Sequence, residues 1–156
     1  MEITKELIKE RFDILNRQYF EGKIKTPHKI LVSHSVINAG YVRQDRKTKK
    51  IELGISDLFD FNEASFDETI AHEMIHLLLA EEYGWKHLGH DRHFKRIMKD
   101  LNKKYGLAIG VFANDIPLTE KGRKKLERGY PKNKILNRFC KAFDKVFSFW
   151  YCLIRG

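Results

Sequence analysis

Apolar residues near the N-terminus recur at helical steps: Ile8, Phe12, Leu15 and Tyr19 are spaced by four, three and four positions. That is the period of one buried helix face. It predicts an amphipathic helix over about residues 3–20, ended by Glu21-Gly22-Lys23 and barred from resuming by Pro27. Shorter runs follow. Lys29–Ser35, Gly40–Arg43 and Lys50–Ile55 read as strands, with turns at Asn38-Ala39-Gly40 and at the polar run DRKTK, residues 45–49. A small three-stranded antiparallel sheet is expected.

The helical period then returns. Ser65-Phe66-Asp67-Glu68 has the S-x-x-E spacing of a capping box, and Asp67 and Glu68 put negative charge at the positive end of the helix dipole. The predicted helix runs to Tyr83 and stops at Gly84. A further stripe, Phe94, Ile97, Met98, Leu101 and Tyr105, begins from about His90 and stops at Gly106. Residues 107–117 look irregular or extended. Helices flanking a small sheet make the fold class α+β. The chain divides into a domain over residues 1–116 and an extension over 117–156.

Charge sharpens that division. Residues 121–156 hold 11 Lys/Arg against 2 Asp/Glu, which is the whole of the net +9. A neutral body with a basic arm suits a polyanion partner. Beyond Pro131, Phe139, Phe143, Val146, Trp150 and Leu153 fall at helical spacing. They suggest a terminal helix that docks on the domain or meets a membrane surface. The apolar run VFSFWYCLI has nine residues, too few for a transmembrane segment. MEITKELIKE has no apolar signal core. Two cysteines without a CxxC give neither a disulfide framework nor a zinc ribbon, so a cytoplasmic protein is expected.

The chemistry lies in AHEMIHLLLA, residues 71–80. His72 and His76 are four apart and share one helix face, with Glu73 about 100° round from His72. H-E-x-x-H is the zinc-binding helix of many metalloproteases, with the glutamate as base. The neighbours are apolar nearly all round, and burying unpaired imidazoles and a carboxylate costs roughly several kcal/mol unless a cation offsets it. A catalytic zinc needs a third ligand. Glu82 occupies the position where a metzincin has histidine, and no Glu occurs between Glu82 and Glu120 to act as on a gluzincin's next helix. His87, His90 and His93 remain. His87 reads as a loop residue, and spacing alone does not choose between His90 and His93.

With the element Gly89-His90-Asp91-Arg92-His93-Phe94, the chain resembles the SprT-like metalloproteases, which include the Spartan DNA–protein crosslink proteases. In that family HExxH is followed by Gly-His-x-x-x-Phe/Trp. The resemblance selects His90 as the third zinc ligand beside His72 and His76, with His93 as the alternative. Phe12–Lys23 is similar to the family's opening helix, and Ala39-Gly40-Tyr41 to its first hairpin. The likeness spans about residues 3–116 and implies a zincin-like core. Asp91, Arg92 and His93 depart from the small residues and glutamate often found there.

Together these readings lead to a zinc-dependent endopeptidase with Glu73 as general base and a protein or peptide substrate extended along a sheet edge. Tyr83 and His93 are candidates for stabilising the oxyanion. Residues 121–156 would hold single-stranded DNA, placing the enzyme among DNA-associated proteins and in DNA–protein crosslink repair. The rivals are a small zinc protease without a DNA role and a non-catalytic, zinc-containing DNA-binding adaptor.

Overall fold

The computed structural model describes residues 1–85, 89–111 and 116–129. His87 and the stripe from Phe139 to Leu153 lie outside the described residues. In chain order the elements are α1 (Lys5–Tyr19), β1 (Lys29–Ser33), β2 (Gly40–Gln44), β3 (Ile51–Ser56), α2 (Glu63–Tyr83), α3 (Arg92–Tyr105) and α4 (Glu120–Gly129). Helix α2 packs on α1, β2 and α3, which makes it the axis of the core. Its buried residues, from Phe66 to Ala80, lie on nearly every side, as expected of a helix with neighbours all round.

The sheet corrects the sequence reading: it is mixed, with strand order β1-β3-β2. β2 pairs antiparallel with β3, whereas β1 pairs parallel with it. The central slot goes to the strand with the most buried surface, IELGIS, in which Leu53 and Ile55 are fully enclosed. Asn38-Ala39-Gly40 is therefore no tight hairpin. Ser35 Oγ accepts the N–H groups of Ile37 and Asn38, and the loop carries the chain past the place β3 will fill. The second turn is a hairpin as expected: Asp45 Oδ1 accepts from the Lys47 and Thr48 N–H groups at 3.0 and 2.6 Å.

A second correction concerns the start of α2. The N-cap is Asn62, whose side chain accepts from Ser65 N–H while Ser65 Oγ accepts from Asn62 N–H. An Asn cap with Ser at the third helical position closes the same reciprocal pair one turn earlier than the Ser65–Glu68 box. This releases both acids for other partners. Asp67 receives two hydrogen bonds from Arg11, tying α1 to α2, and Glu68 accepts from Ala108 N–H. Helix α3 starts at its N-cap Asp91 and ends at Gly106, whose φ of 68° is the left-handed stop that glycine adopts freely.

The start of α4 is stitched to the domain. Phe59 and Leu118 form a bridge, Thr119 N–H donates to Leu58 C=O, and Gly122 sits where a Cβ would lie 2.5 Å from the Leu58 carbonyl oxygen. Among the described residues, no helix is long and apolar enough to cross a membrane.

On the sheet face away from α2, Tyr41 lies flat over Gly54 and donates to Glu52 at 2.7 Å. Arg43 and Lys29 pair with the same carboxylate at 2.7 and 3.1 Å. Burial alone would raise the Glu52 pKa, but the bonds from Tyr41 and Lys29 and the charges of Arg43 and Lys29 outweigh it, leaving it below the ordinary value. Burial, then Glu52, pushes Tyr41 up to about 12. A depressed carboxylate stabilises the fold above its unfolded pKa of about 4.3, and that stability is lost as pH falls. Glu52→Gln is expected to cost about 1–2 kcal/mol at pH 7. In urea unfolding the deficit should shrink as the pH drops below the carboxylate range.

Candidate metal centre

Three imidazoles meet at the junction of α2 and the lead-in to α3. His72 and His76 stand one turn apart on α2, and His90 arrives from the residue before the α3 N-cap. The His72–His76, His76–His90 and His90–His72 Nε2 separations are 3.2, 3.1 and 3.0 Å. A tetrahedral ion with metal–nitrogen bonds of about 2.0–2.1 Å needs its donors about 3.3 Å apart. The observed triangle is within a few tenths of an ångström of that requirement. These three residues can hold a metal ion.

Protonation supports the fit. His72 Nδ1 donates to the Gly110 carbonyl at 2.8 Å, which leaves its Nε2 as a bare lone pair. Burial, then the charge of His90, lowers the His72 pKa to about 4, with the Gly110 bond acting the other way. Burial, then Lys95, lowers His90 to about 4, and burial drives His76 lower still. Protons therefore do not neutralise the converging lone pairs near pH 7, whereas a divalent cation does. His76 is buried, while His72 and His90 are half-buried and leave the centre open on one side.

Phe94 is the floor of the site. Fully buried, its ring lies 4.8, 4.7 and 4.6 Å from those of His72, His76 and His90, centroid to centroid. Asp91 makes this possible by accepting from the His93 and Phe94 N–H groups, which starts the helix at Arg92, three residues after the glycine–histidine turn opens at Gly89. The interval between His90 and Phe94 thus has a steric meaning: the histidine reaches the centre from outside the helix while the aromatic ring reaches beneath it.

Glu73 is buried under β2. Burial pushes its pKa up to about 8, and the Val42 N–H, directed at the carboxylate, works the other way. A divalent charge at the neighbouring imidazoles would pull it down again. Space for the carboxylate comes from Gly40, where a Cβ would stand 2.9 Å from both Cγ and Oε1 of Glu73. Ser56 N–H donates to Ala39 C=O and Asp45 N–H to Lys50 C=O. The backbone groups of Gly40, Val42 and Gln44 therefore face the outer edge. The acid and the outer strand edge share one location.

Of the other residues named from sequence, His93 stands apart from the metal-competent group. Its ring lies 4.8 Å from that of Tyr83, and the two line a cleft with Leu79, Asp91 and Arg92. Sequence reasoning missed the Gly110 carbonyl and the Val42 N–H, because backbone groups carry no residue signature. Phe94 and Gly40 were visible as motif letters without a stated task.

A buried HExxH helix beside a short mixed sheet, with a third imidazole supplied just ahead of the next helix, defines an α+β domain of the metalloprotease type. The family model for SprT-like proteins matches residues 8–120, well over half of the chain, and the protein belongs to the SprT-like family. Comparisons with curated proteins and with solved structures give no match.

The contact between Gly40 and Glu73 can be tested directly. Gly40→Ala is expected to cost about 1–3 kcal/mol, as overpacking does. In a double-mutant cycle most of that cost should vanish when Glu73 is also alanine, measured by chemical unfolding of the four proteins.

Proposed function

We propose that the protein is a zinc-dependent endopeptidase in which His72, His76 and His90 hold the metal and Glu73 is the general base. The observation that carries this reading is the placement of a buried carboxylate between three convergent imidazoles and a strand edge with outward-facing backbone groups. A purely structural zinc site has no use for such an acid, which disfavours the adaptor reading. When bound, zinc lowers the pKa of a coordinated water to about 7 and polarises a carbonyl oxygen.

The remaining work falls to the chain itself. Gly40 and Gln44 offer N–H and C=O groups, and Val42 its C=O, to an extended peptide, so main-chain pairing positions the substrate with little regard to its sequence. Glu73 takes a proton on its carboxylate and returns it to the departing amine, and its burial keeps bulk water from competing for that proton. The Val42 N–H holds the carboxylate beneath the strand while the proton moves. Leu79, Tyr83, Asp91, Arg92 and His93 line the cleft one to two turns beyond His76 and suit a substrate side chain. Tyr83 and His93 also remain the candidates for stabilising the oxyanion.

Glu73→Gln should retain one zinc per chain and lose about 10²–10⁴-fold in cleavage of an unfolded protein substrate. His90→Ala should lose the metal itself. Metal analysis alongside a chelator-sensitive digestion assay separates these outcomes, and full zinc occupancy in His90→Ala would refute the ligand set.

The proposed substrates are DNA-associated proteins. Lys121, Arg123, Lys124, Lys125 and Arg128 are all exposed on α4, and the basic composition continues through residue 156. Changing Arg123, Lys124 and Arg128 to glutamate should weaken single-stranded DNA binding. It should also flatten its salt dependence by about 0.7 in log–log slope per lost phosphate contact. Gel shifts across a salt series provide the measurement; unchanged binding would favour a protease with no DNA role.

A further inference from the structure

The segment after α3 has neither helix nor strand, yet three side chains hold four of its backbone groups. Ala108 N–H donates to Glu68 Oε1 at 2.8 Å. Asn102 grips both sides of Ile109, accepting its N–H at 3.0 Å and donating to its carbonyl at 2.9 Å. The Gly110 carbonyl then receives His72 Nδ1–H at 2.8 Å. Glu68 and His72 are four apart on α2 and so share one face. The strap lies along that face, anchored by the Ile109 side chain, which is only 2% exposed.

The Gly110 carbonyl decides which His72 nitrogen carries the proton and where the ring points. One hydrogen bond to an imidazole cannot by itself order a strap of three residues, since fixing each backbone unit costs about 1–2 kcal/mol. From this geometry we propose that Asn102, assisted by Glu68, is a positioning residue for metal binding. It holds residues 108–110 so that the Gly110 carbonyl sets the tautomer and aim of His72. The proposal rests on the zinc reading above and adds two residues that touch neither metal nor substrate.

The fold supplies its own control. At the end of α1, Asn16 grips Ile24 by the same pair of bonds, at 2.8 and 3.2 Å, and among the described residues the metal-competent histidine group includes no residue next to that clamp. The experiment uses the full chain and measures zinc affinity by competition with a chromogenic chelator, the absorption bands of the cobalt-substituted protein, and urea unfolding. Asn102→Ala should weaken zinc about tenfold, the lower end of the loss seen when an outer partner of a ligand is removed, and should shift the cobalt bands. Glu68→Ala should move both readouts the same way, while Glu68→Gln, which keeps an acceptor, should match the wild type. Asn16→Ala should lose stability and keep wild-type zinc affinity.

Wild-type affinity and spectrum in both Asn102→Ala and Glu68→Ala would overturn the proposal. So would an equal affinity loss in Asn16→Ala, which would reveal general loosening. If Asn102→Ala does not fold, the Glu68 pair decides. A wild-type chain that fails to compete with the chelator for zinc overturns the metal reading itself, before any variant is compared.

Discussion

Three imidazole nitrogens held within 3.2 Å of one another are the constraint on which the rest of the structure turns. Lone pairs so close in a poorly solvated place repel one another, so each ring must be fixed from another side. Phe94 supports all three rings from below, and Gly110 fixes His72 laterally. His76 Nδ1 is buried without a hydrogen-bond partner among the described residues, so packing alone restrains that ring. The rigidity of α2 follows from the same need. Its reciprocal cap, the Arg11–Asp67 link and burial on nearly all sides keep two of the three donors in register.

The acid beside them answers to the sheet as much as to its own helix. Strand side chains alternate faces, so a one-residue slip of β2 would place Ala39 or Tyr41 where Gly40 now gives Glu73 room. The register of β2 on β3 is set by the hairpin in which Asp45 collects the Lys47 and Thr48 N–H groups. A turn at the far end of the ribbon therefore governs the environment of the carboxylate. Tyr41 resists the same slip from the opposite face, because its ring occupies the space left by Gly54.

Helices α1, α2 and α3 and HExxH were legible because a 3.6-residue period and terminal glycines are local signals. Helix α4 (Glu120–Gly129), polar and basic with Gly122 as its buried residue, carries no apolar stripe to announce it. The start of α2 was misplaced because Asn62 and Ser65 compete with Ser65 and Glu68 for the same local pattern, and only tertiary partners for Asp67 and Glu68 decide between them. Strand positions could be read to within two residues, but their pairing could not. Nothing local in three short apolar runs says which takes the centre, and the parallel pairing of β1 emerges only from long-range burial. At the metal centre, spacing left His90 and His93 equivalent; the resemblance favoured His90, and the structure brings that residue to His72 and His76. The clamp on residues 108–110 was invisible because its recipients are backbone groups.

The outer flank of β2, unpaired among the described residues, carries a liability. Unpaired backbone groups on a strand edge accept the matching strand of another copy as readily as any other extended chain, which is how sheet proteins begin to aggregate. The strand has five residues, too few to make self-pairing tenacious. Arg43, directed to the face away from the core, sets like charges against each other when two such edges meet. The brevity of this strand, costly to the sheet as a scaffold, shortens the ladder that a second copy could build on it.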